Sequence, residues 1–187
     1  MPQGSAELVV PGEPARVFAF LADPRNAQAW FSDAPFEEPP EGEVRADMTW
    51  VLARTEETRH AMPMGVRVYD PPTRFVWETL NDRVRTNWTW TVTCASAPDA
   101  ARAEAGISGS ATLLCLTIRL RPAVFDLVIG LLLTRALRET LSMRAARTLE
   151  RARAALPGPA STSRSGSASS PSASSRSGHQ RRRRKGR

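Results

Sequence analysis

The sequence predicts an α+β domain in which a long C-terminal helix covers one face of an antiparallel sheet, with two short helices near the N-terminus. Three observations predict it. Apolar and polar residues alternate through several segments between residues 43 and 120, which is the period of half-buried strands. The segment from Ala123 to about Ala155 consists of good helix formers without an internal proline. A short Pro-Gly-Pro stop then follows at residues 157–159.

The N-terminal elements come first. Glu7 to Val10 predicts a short strand, and residues 14–22 predict a helix whose proline lies in the first turn, where a missing N–H costs nothing. Asp23-Pro24 ends that helix. A second short helical piece around Asn26 to Phe31 is expected to bring Trp30 against the first helix.

The strand pattern is clearest from Val84 to Cys94, where Trp88, Trp90 and Val92 alternate with Asn and Thr. Strands of this kind in sequence, joined by turns, favour an antiparallel sheet with one covered face. Residues 97–109 have no apolar period and are expected to form an enlarged hairpin loop. The same alternation occurs in four other sets: Met48, Trp50 and Leu52; His60, Met62, Met64, Val66 and Val68; Phe75 and Trp77; Leu114, Leu116, Ile118 and Leu120.

The predicted C-terminal helix has two parts. Residues 123–133 are apolar nearly all round, interrupted by Asp126, as expected of a segment buried by the sheet, a ligand or a partner. The remainder carries Leu137, Leu141 and later apolar residues between Arg and Glu, which is typical of an amphipathic surface helix. Because crossing a bilayer takes about 20 apolar residues, the apolar part is too short to be a transmembrane segment.

The charge distribution separates a domain, residues 1–156, from a tail, residues 157–187. The first part holds 18 Arg and no Lys against 19 Asp and Glu, whereas the second holds eight basic residues and no acid. The net charge of +7 therefore comes from the tail. The tail is rich in Ser and lacks aromatic and long aliphatic residues, so it is expected to be disordered. Its Arg181–Lys185 run predicts weak, salt-sensitive contact with nucleic acid or an anionic surface.

The two cysteines, Cys94 and Cys115, have no spacing that would arrange a metal site, so neither a metal nor a cofactor is predicted. The N-terminus shows no basic region followed by an apolar run, which favours a cytoplasmic protein. The cysteines fall in opposite phases of neighbouring strands and are not expected to meet.

Three local patterns carry a family resemblance. They are Pro14 to Asn26 followed by Trp30, Tyr69 to Trp77 with its Asp-Pro-Pro turn, and Gly109 to Ile118. Together they resemble the SRPBCC (START-like, helix-grip) superfamily, and within it the polyketide cyclase/dehydrase-like group. The resemblance spans residues 5 to 155. It implies the helix-grip fold, an α+β arrangement in which a curved antiparallel sheet wraps around the long C-terminal helix. The superfamily contains both carriers and enzymes, so the fold alone does not choose a reaction.

The resemblance also implies a cavity between the sheet and the long helix, lined by inward strand and helix positions. Tryptophan and methionine side chains at such positions suit a flat or flexible apolar ligand. The same residues at strand spacing are equally what a hydrophobic core requires. The expected ligand-binding residues are Trp50, His60, Met62, Met64, Trp77, Trp88, Trp90, Leu116, Phe125, Val128, Ile129 and Leu132.

Catalytic residues are not recognisable in the sequence. His60 is the one histidine within residues 1–156 and the natural candidate for a general acid or base, but no carboxylate is placed to orient it. Arg59 and Arg67 are candidates to polarise a ligand carbonyl. Paired carboxylates, a Ser-His-Asp order and a phosphate-binding Gly loop are not recognisable, so whether the protein is an enzyme stays open.

Three functions are consistent with these observations. The first is binding or carrying of a hydrophobic small molecule, lipid-like or aromatic and polyketide-like. The second is an aromatase/cyclase-type enzyme of the cyclase/dehydrase kind, with His60 or an arginine assisting proton transfer. The third is an interaction module in which the apolar start of the long helix docks to a partner or an anionic surface. The sequence leaves the ligand and the oligomeric state open.

Overall fold

A computed structural model describes residues 1–56, 60–80, 87–121 and 134–157. Phe125, Val128, Ile129 and Leu132 of the expected site, Arg59, and nearly all of the basic tail lie outside these residues. The elements are β1 (Gln3–Pro11), α1 (Pro14–Ala22), a 3-10 turn (Pro24–Asn26), α2 (Ala27–Trp30), β2 (Phe36–Glu38), β3 (Thr49–Leu52), β4 (Met62–Asp70), β5 (Arg74–Thr79), β6 (Asn87–Ser96), α3 (Asp99–Glu104), β7 (Ala111–Arg121) and α4 (Thr134–Ala155).

The strands form one sheet in the order β1-β7-β6-β5-β4-β3-β2. Neighbouring strands are antiparallel along the whole order. Apart from the β1–β7 pair, each strand lies beside its neighbour in sequence, as hairpin connections favour. With α1, α2 and α4 on the inner face of the sheet, the predicted α+β class and helix-grip arrangement are confirmed.

Helix α4 packs on the inner face of β1 and β7. It buries Leu141, Ala145, Leu149 and Ala152, whose spacing of three and four residues places them on one side of a helix. The helix backbone comes very close to the sheet at Gly4, where an added Cβ would lie 2.3 Å from the Ser142 nitrogen. No described helix is long and apolar enough to span a membrane.

The N-terminal helices pack against the sheet, and a side-chain cap orders the turn between them. Helix α1 begins at Pro14 and buries Val17, Phe18 and Leu21 toward the sheet. The Asp23 carboxylate accepts a hydrogen bond of 3.0 Å from the backbone N–H of Arg25 and so caps the 3-10 turn. The two predicted N-terminal helices are therefore present.

Three elements differ from the sequence predictions. Strand β1 is longer than Glu7 to Val10, because its whole length pairs with β7. Strand β2 was not predicted, since three residues are too few to show an alternation. Within residues 97–109, α3 replaces the expected loop. Its first turn carries Asp99, whose carboxylate pairs with Arg102 at 2.7 Å.

A β-bulge in β4 changes which residues face inward. Val66 lies opposite Trp77, but Val68 lies opposite Val76 and Tyr69 opposite Phe75. The extra residue shifts the alternation by one position, as bulges do. The prediction that Val68 shares the face of Val66 is therefore wrong, and Tyr69 takes the inner position.

Candidate functional site

The inner face of β3, β5 and β6 carries a dense group of rings, completed by residues at the end of α2. We call this group the aromatic cluster. It lies beside the part of the sheet that α4 covers, under α1 and α2. Its members are Trp30, Phe31, Trp50, Phe75, Trp77, Trp88 and Trp90.

Trp77 lies at the centre of the aromatic cluster. Its ring centroid is 5.1 Å from that of Trp50 and 5.3 Å from those of Trp30, Phe31 and Phe75. The contacts with Trp50 and Phe31 are edge-to-face, at interplanar angles of 73° and 85°. Such geometry is favourable for ring quadrupoles, so the cluster is held by packing as well as by burial.

The cluster extends along β6 toward its rim. Trp90 lies opposite Trp77 in the neighbouring strand, and its centroid is 4.9 Å from that of Phe31. Trp88, two residues away on the same face, stacks on Trp90 at 6.0 Å and 15°. Trp88 is half-buried, and the guanidinium carbon of Arg144 lies 5.1 Å from its ring centroid. The rings therefore form a continuous path from the buried centre to a charged rim.

Three indole N–H groups in this cluster have no hydrogen-bond partner among the described residues. They belong to Trp30, Trp50 and Trp77, whose exposed fractions are 1%, 2% and 0%. A buried donor without an acceptor costs about 1–3 kcal/mol, and buried indole N–H groups usually have a partner. The cluster therefore contains three buried donors that no acceptor among the described residues satisfies.

A fourth polar group lies on the inner face of β5. Thr79 is 4% exposed and lies opposite Met64. Its hydroxyl oxygen accepts a hydrogen bond of 3.0 Å from the backbone N–H of Trp88. An accepting hydroxyl still carries a hydrogen to donate, so Thr79 adds a further donor beside the rings.

Some of the predicted site residues lie in the aromatic cluster, and others lie outside it or are exposed. Trp50, Trp77 and Trp90 are buried in the cluster, and Met64 is buried on the same face. Trp88 and Met62 are half-buried and pack against the core. Leu116 is fully buried on β7, between Ala6 of β1 and Val92 of β6. His60 is exposed just before β4.

Two cluster residues were missed as site residues. Trp30 was expected to pack against the first helix, and Phe31 directly follows it in sequence. Both rings contact Trp77. Two adjacent aromatic residues at the end of a short helical segment were the available signal, because one turn can direct both toward the sheet.

The other candidate groups for chemistry are outside the cluster or unreactive. Arg67 is the extra residue of the bulge, is exposed, and pairs with Glu78 at 3.1 Å. Burial raises the pKa of the Cys94 thiol to about 12, so this thiol is protonated at neutral pH and is a poor nucleophile. No group of three or more His, Cys, Asp and Glu that could hold a metal occurs in the described part of the chain.

Two open clefts lie away from the aromatic cluster. One, of about 540 Å³, is on the outer face of β4 and β5 beside Arg67 and Glu78. The other, of about 510 Å³, lies at the β2 edge beside Glu37, Glu38 and Glu41. Both expose charged side chains to solvent, so neither resembles an apolar ligand site.

Comparison with known protein families identifies the family of this chain. The profile of the family described as polyketide cyclase / dehydrase and lipid transport matches residues 1–156. A search of curated protein sequences finds no match.

Solved structures share the fold at low sequence identity. The protein TTHA0849 from Thermus thermophilus superposes with a TM-score of 0.53 at 15% identity, covering 83% of this chain and 97% of that one. SA2116 from Staphylococcus aureus, a protein of unknown function, gives 0.55 at 9% identity, covering 82% and 93%. The di-domain ARO/CYC StfQ from the steffimycin biosynthetic pathway gives 0.53 at 15% identity, covering 82% of this chain and 50% of that one.

Proposed function

Because the chain belongs to the polyketide cyclase / dehydrase and lipid transport family, we propose that it binds or carries a hydrophobic small molecule, lipid-like or aromatic and polyketide-like. The proposed site is the inner face of the sheet at the aromatic cluster, beside the part of the sheet that the C-terminal helix covers. The observation that carries this proposal is the set of three buried indole N–H groups that have no hydrogen-bond partner among the described residues.

The unpaired donors favour a ligand that contains acceptor oxygens. A folded core gains nothing from an unpaired buried N–H, since a phenyl ring of similar shape packs as well without the desolvation cost. Neighbouring ring faces are weak acceptors and do not replace a carbonyl oxygen. Trp30, Trp50 and Trp77 therefore suit a molecule with one or more carbonyl or ether oxygens in an apolar framework.

The surroundings of the donors suit the apolar part of such a ligand. Met62 and Met64 line the β4 side of the same face, and unbranched thioether side chains adapt to ligands of different shape. The flat rings of Trp77 and Trp90 favour a planar ligand by stacking. Together these side chains support binding of a flat, oxygenated, otherwise apolar molecule.

A cyclase-type enzyme is the second candidate. The family description includes cyclases and dehydrases, and StfQ, which shares the fold, is described as an ARO/CYC protein. Such chemistry needs a proton-transfer group beside the ligand. Among the described inner-face residues, the Thr79 hydroxyl and the Tyr69 phenol are the available groups, whereas His60 is exposed. This arrangement supports binding more strongly than catalysis.

A pair of matched compounds tests the proposed function. 2-Acetylnaphthalene and 2-ethylnaphthalene have the same ring and similar size, but only the first contains a carbonyl oxygen. We expect saturable quenching of tryptophan fluorescence by both, with about ten-fold tighter binding of the ketone, since one hydrogen bond to a buried donor contributes roughly 1 kcal/mol or more. Native mass spectrometry of the freshly purified protein should show a co-purifying apolar ligand.

Single Trp→Phe variants assign the effect to the donors. Trp50→Phe and Trp77→Phe should reduce the preference for the ketone, because each removes an indole N–H and keeps a ring. Trp88→Phe is the matched control, since Trp88 is not among the buried unpaired donors. Equal binding of the two compounds, or loss of the preference in the control alone, would contradict the role of the donors.

We further propose that the protein acts in the cytoplasm, which its free cysteines, Cys94 and Cys115, support because reducing compartments keep thiols unpaired. The basic residues of 157–187 support a weak association with nucleic acid or an anionic surface. That association should weaken steeply as salt rises, because it depends on counterion release.

A further inference from the structure

The rim of the aromatic cluster carries a positive charge at a defined position. Arg144 lies on α4, and its guanidinium carbon is 5.1 Å from the centroid of the Trp88 ring. Trp88 lies on β6, opposite Leu120 of β7. The side chain of Arg144 therefore extends past β7 to the next strand, where the stacked Trp88 and Trp90 rings begin.

Among the arginines of α4, Arg144 is the one whose guanidinium lies over an aromatic ring in the described part of the chain. Arg135 pairs with Glu139 on the same helix, and Arg151 pairs with Asp33. Arg144 has no carboxylate partner among the described residues, and its side chain contacts Trp88. A guanidinium over a ring face can still present its N–H edge to an oxyanion, because the ring contact uses the plane and not the edge.

The aromatic path connects this charge to the buried donors. Trp88 stacks on Trp90, Trp90 contacts Phe31, and Phe31 contacts Trp77. A ligand lying along the path would reach the indole N–H groups at one end and the guanidinium at the other. Such an arrangement selects for a molecule with an apolar middle, acceptor oxygens at its buried end and a negative charge at its exposed end.

We propose that the ligand is an organic anion, an apolar and ring-bearing carboxylate, and that Arg144 is the residue that binds its charged group. This inference rests on the proposed function, because it names the chemical class of the molecule held against the aromatic cluster. Trp88 is a positioning residue in this account, since its ring holds the guanidinium over the rim. Carboxylate is the favoured anion because its two oxygens match two N–H groups of one guanidinium.

The test compares 2-naphthoate with its methyl ester. Both contain the same ring and an ester or carboxylate acceptor, but only the acid is charged at neutral pH. With the full-length protein, we expect 2-naphthoate to bind about five- to ten-fold more tightly than methyl 2-naphthoate, as measured by quenching of tryptophan fluorescence. High ionic strength should reduce this preference, because the pair lies at an exposed rim.

Three variants assign the preference to one residue. Arg144→Gln should abolish the preference for the anion and leave the affinity for the ester unchanged. Arg144→Lys should keep part of the preference for the anion, because the positive charge remains but the bidentate hydrogen bonding of the guanidinium is lost. Arg147→Gln is the matched control, an exposed arginine one turn along the same helix, and should keep the preference. Thermal unfolding of each variant verifies that it is folded.

The outcomes separate the inference from the proposed function. If the ester binds but the wild-type protein shows no preference for the anion, or if Arg144→Gln keeps the preference, the inference is overturned and the ligand-binding function stands. If neither compound binds at a saturable site, both are overturned. If Arg144→Gln weakens the acid and the ester equally, Arg144 acts only through packing, which also overturns its role in anion recognition.

Discussion

The inner face of the sheet has two halves with different chemistry. The aliphatic half, on β1 and β7 under α4, consists mainly of Leu, Ile, Val and Ala side chains such as Leu114 and Leu116. The buried Thr112 hydroxyl at its end donates a hydrogen bond of 2.8 Å to the carbonyl oxygen of Gly12. The aromatic half, on β3 to β6 under α1 and α2, contains the aromatic cluster, whose three indole donors have no partner in the described part of the chain. A core that only has to pack pairs its buried donors, as Thr112 is paired, so unpaired donors separate the half suited to a ligand from the half that stabilises the fold.

Leu116→Ala tests the aliphatic half and has the largest expected effect. Leu116 is fully buried between two strands, so its truncation should lower the free energy of unfolding by about 3 kcal/mol. Urea unfolding measures the change. Under folding conditions, the affinity for 2-acetylnaphthalene should remain within about two-fold. A large loss of affinity with little loss of stability would instead assign Leu116 to the ligand site.

Gly4→Ala tests the contact between α4 and the sheet. The added Cβ would lie 2.3 Å from the Ser142 nitrogen and 2.6 Å from the Leu141 carbonyl carbon, and neither backbone atom can move without shifting the helix. We expect a loss of about 2–3 kcal/mol by chemical denaturation. Ser5→Ala, at the neighbouring exposed position, should change the stability by less than about 0.5 kcal/mol. Similar effects of the two substitutions would refute the close approach.

The buried thiol of Cys94 should make the stability of the fold depend on pH in the alkaline range. Burial raises the pKa of its thiol from 9.0 to about 12, so between these values the folded chain keeps a proton that the unfolded chain loses. The free energy of unfolding should therefore fall as pH rises through this range. The fall should be smaller in Cys94→Ala, measured by denaturant titration at several pH values. An identical pH dependence in both proteins would show that the thiol does not contribute.

His60→Ala should have the smallest effect. His60 is exposed before β4 and lies outside the aromatic cluster. We expect a change in stability within about 0.5 kcal/mol and unchanged affinity for 2-acetylnaphthalene. A marked loss of affinity or of turnover in this variant would restore the histidine as a candidate for the chemistry and would weaken the assignment of the site to the rings.

The sequence predicts features that depend on neighbouring residues along the chain better than features that depend on contacts between distant residues. Alternation along β6 places Trp88, Trp90 and Cys94 on one face because the period of a strand is local. The bulge in β4 leaves no mark in the sequence, where the apolar alternation continues unbroken from Met62 to Val68. The sequence therefore predicts that Met62 to Val68 present their apolar side chains to one face of the sheet. It does not predict that Tyr69 lies on the inner face.

The candidate site could be predicted only in part from the sequence. Tryptophans at inward positions were predictable, but whether an indole N–H has a partner depends on every neighbour in three dimensions. Trp30, Trp50 and Trp77 come from three separate elements, and their rings come into contact only after α2 packs on the sheet. The contact between Arg144 and Trp88 likewise joins residues that are far apart in sequence.

Indole resonances test the central claim most directly. In a ¹⁵N–¹H spectrum, the five tryptophans give separate indole N–H signals that single Trp→Phe variants assign. On addition of 2-acetylnaphthalene, we expect the largest shifts for Trp30, Trp50 and Trp77, in the direction of stronger hydrogen bonding, with little change for the backbone amides of Gly4 and Leu116. Unchanged indole signals, or shifts centred on β1 and β7, would contradict the assignment of the ligand to the aromatic half.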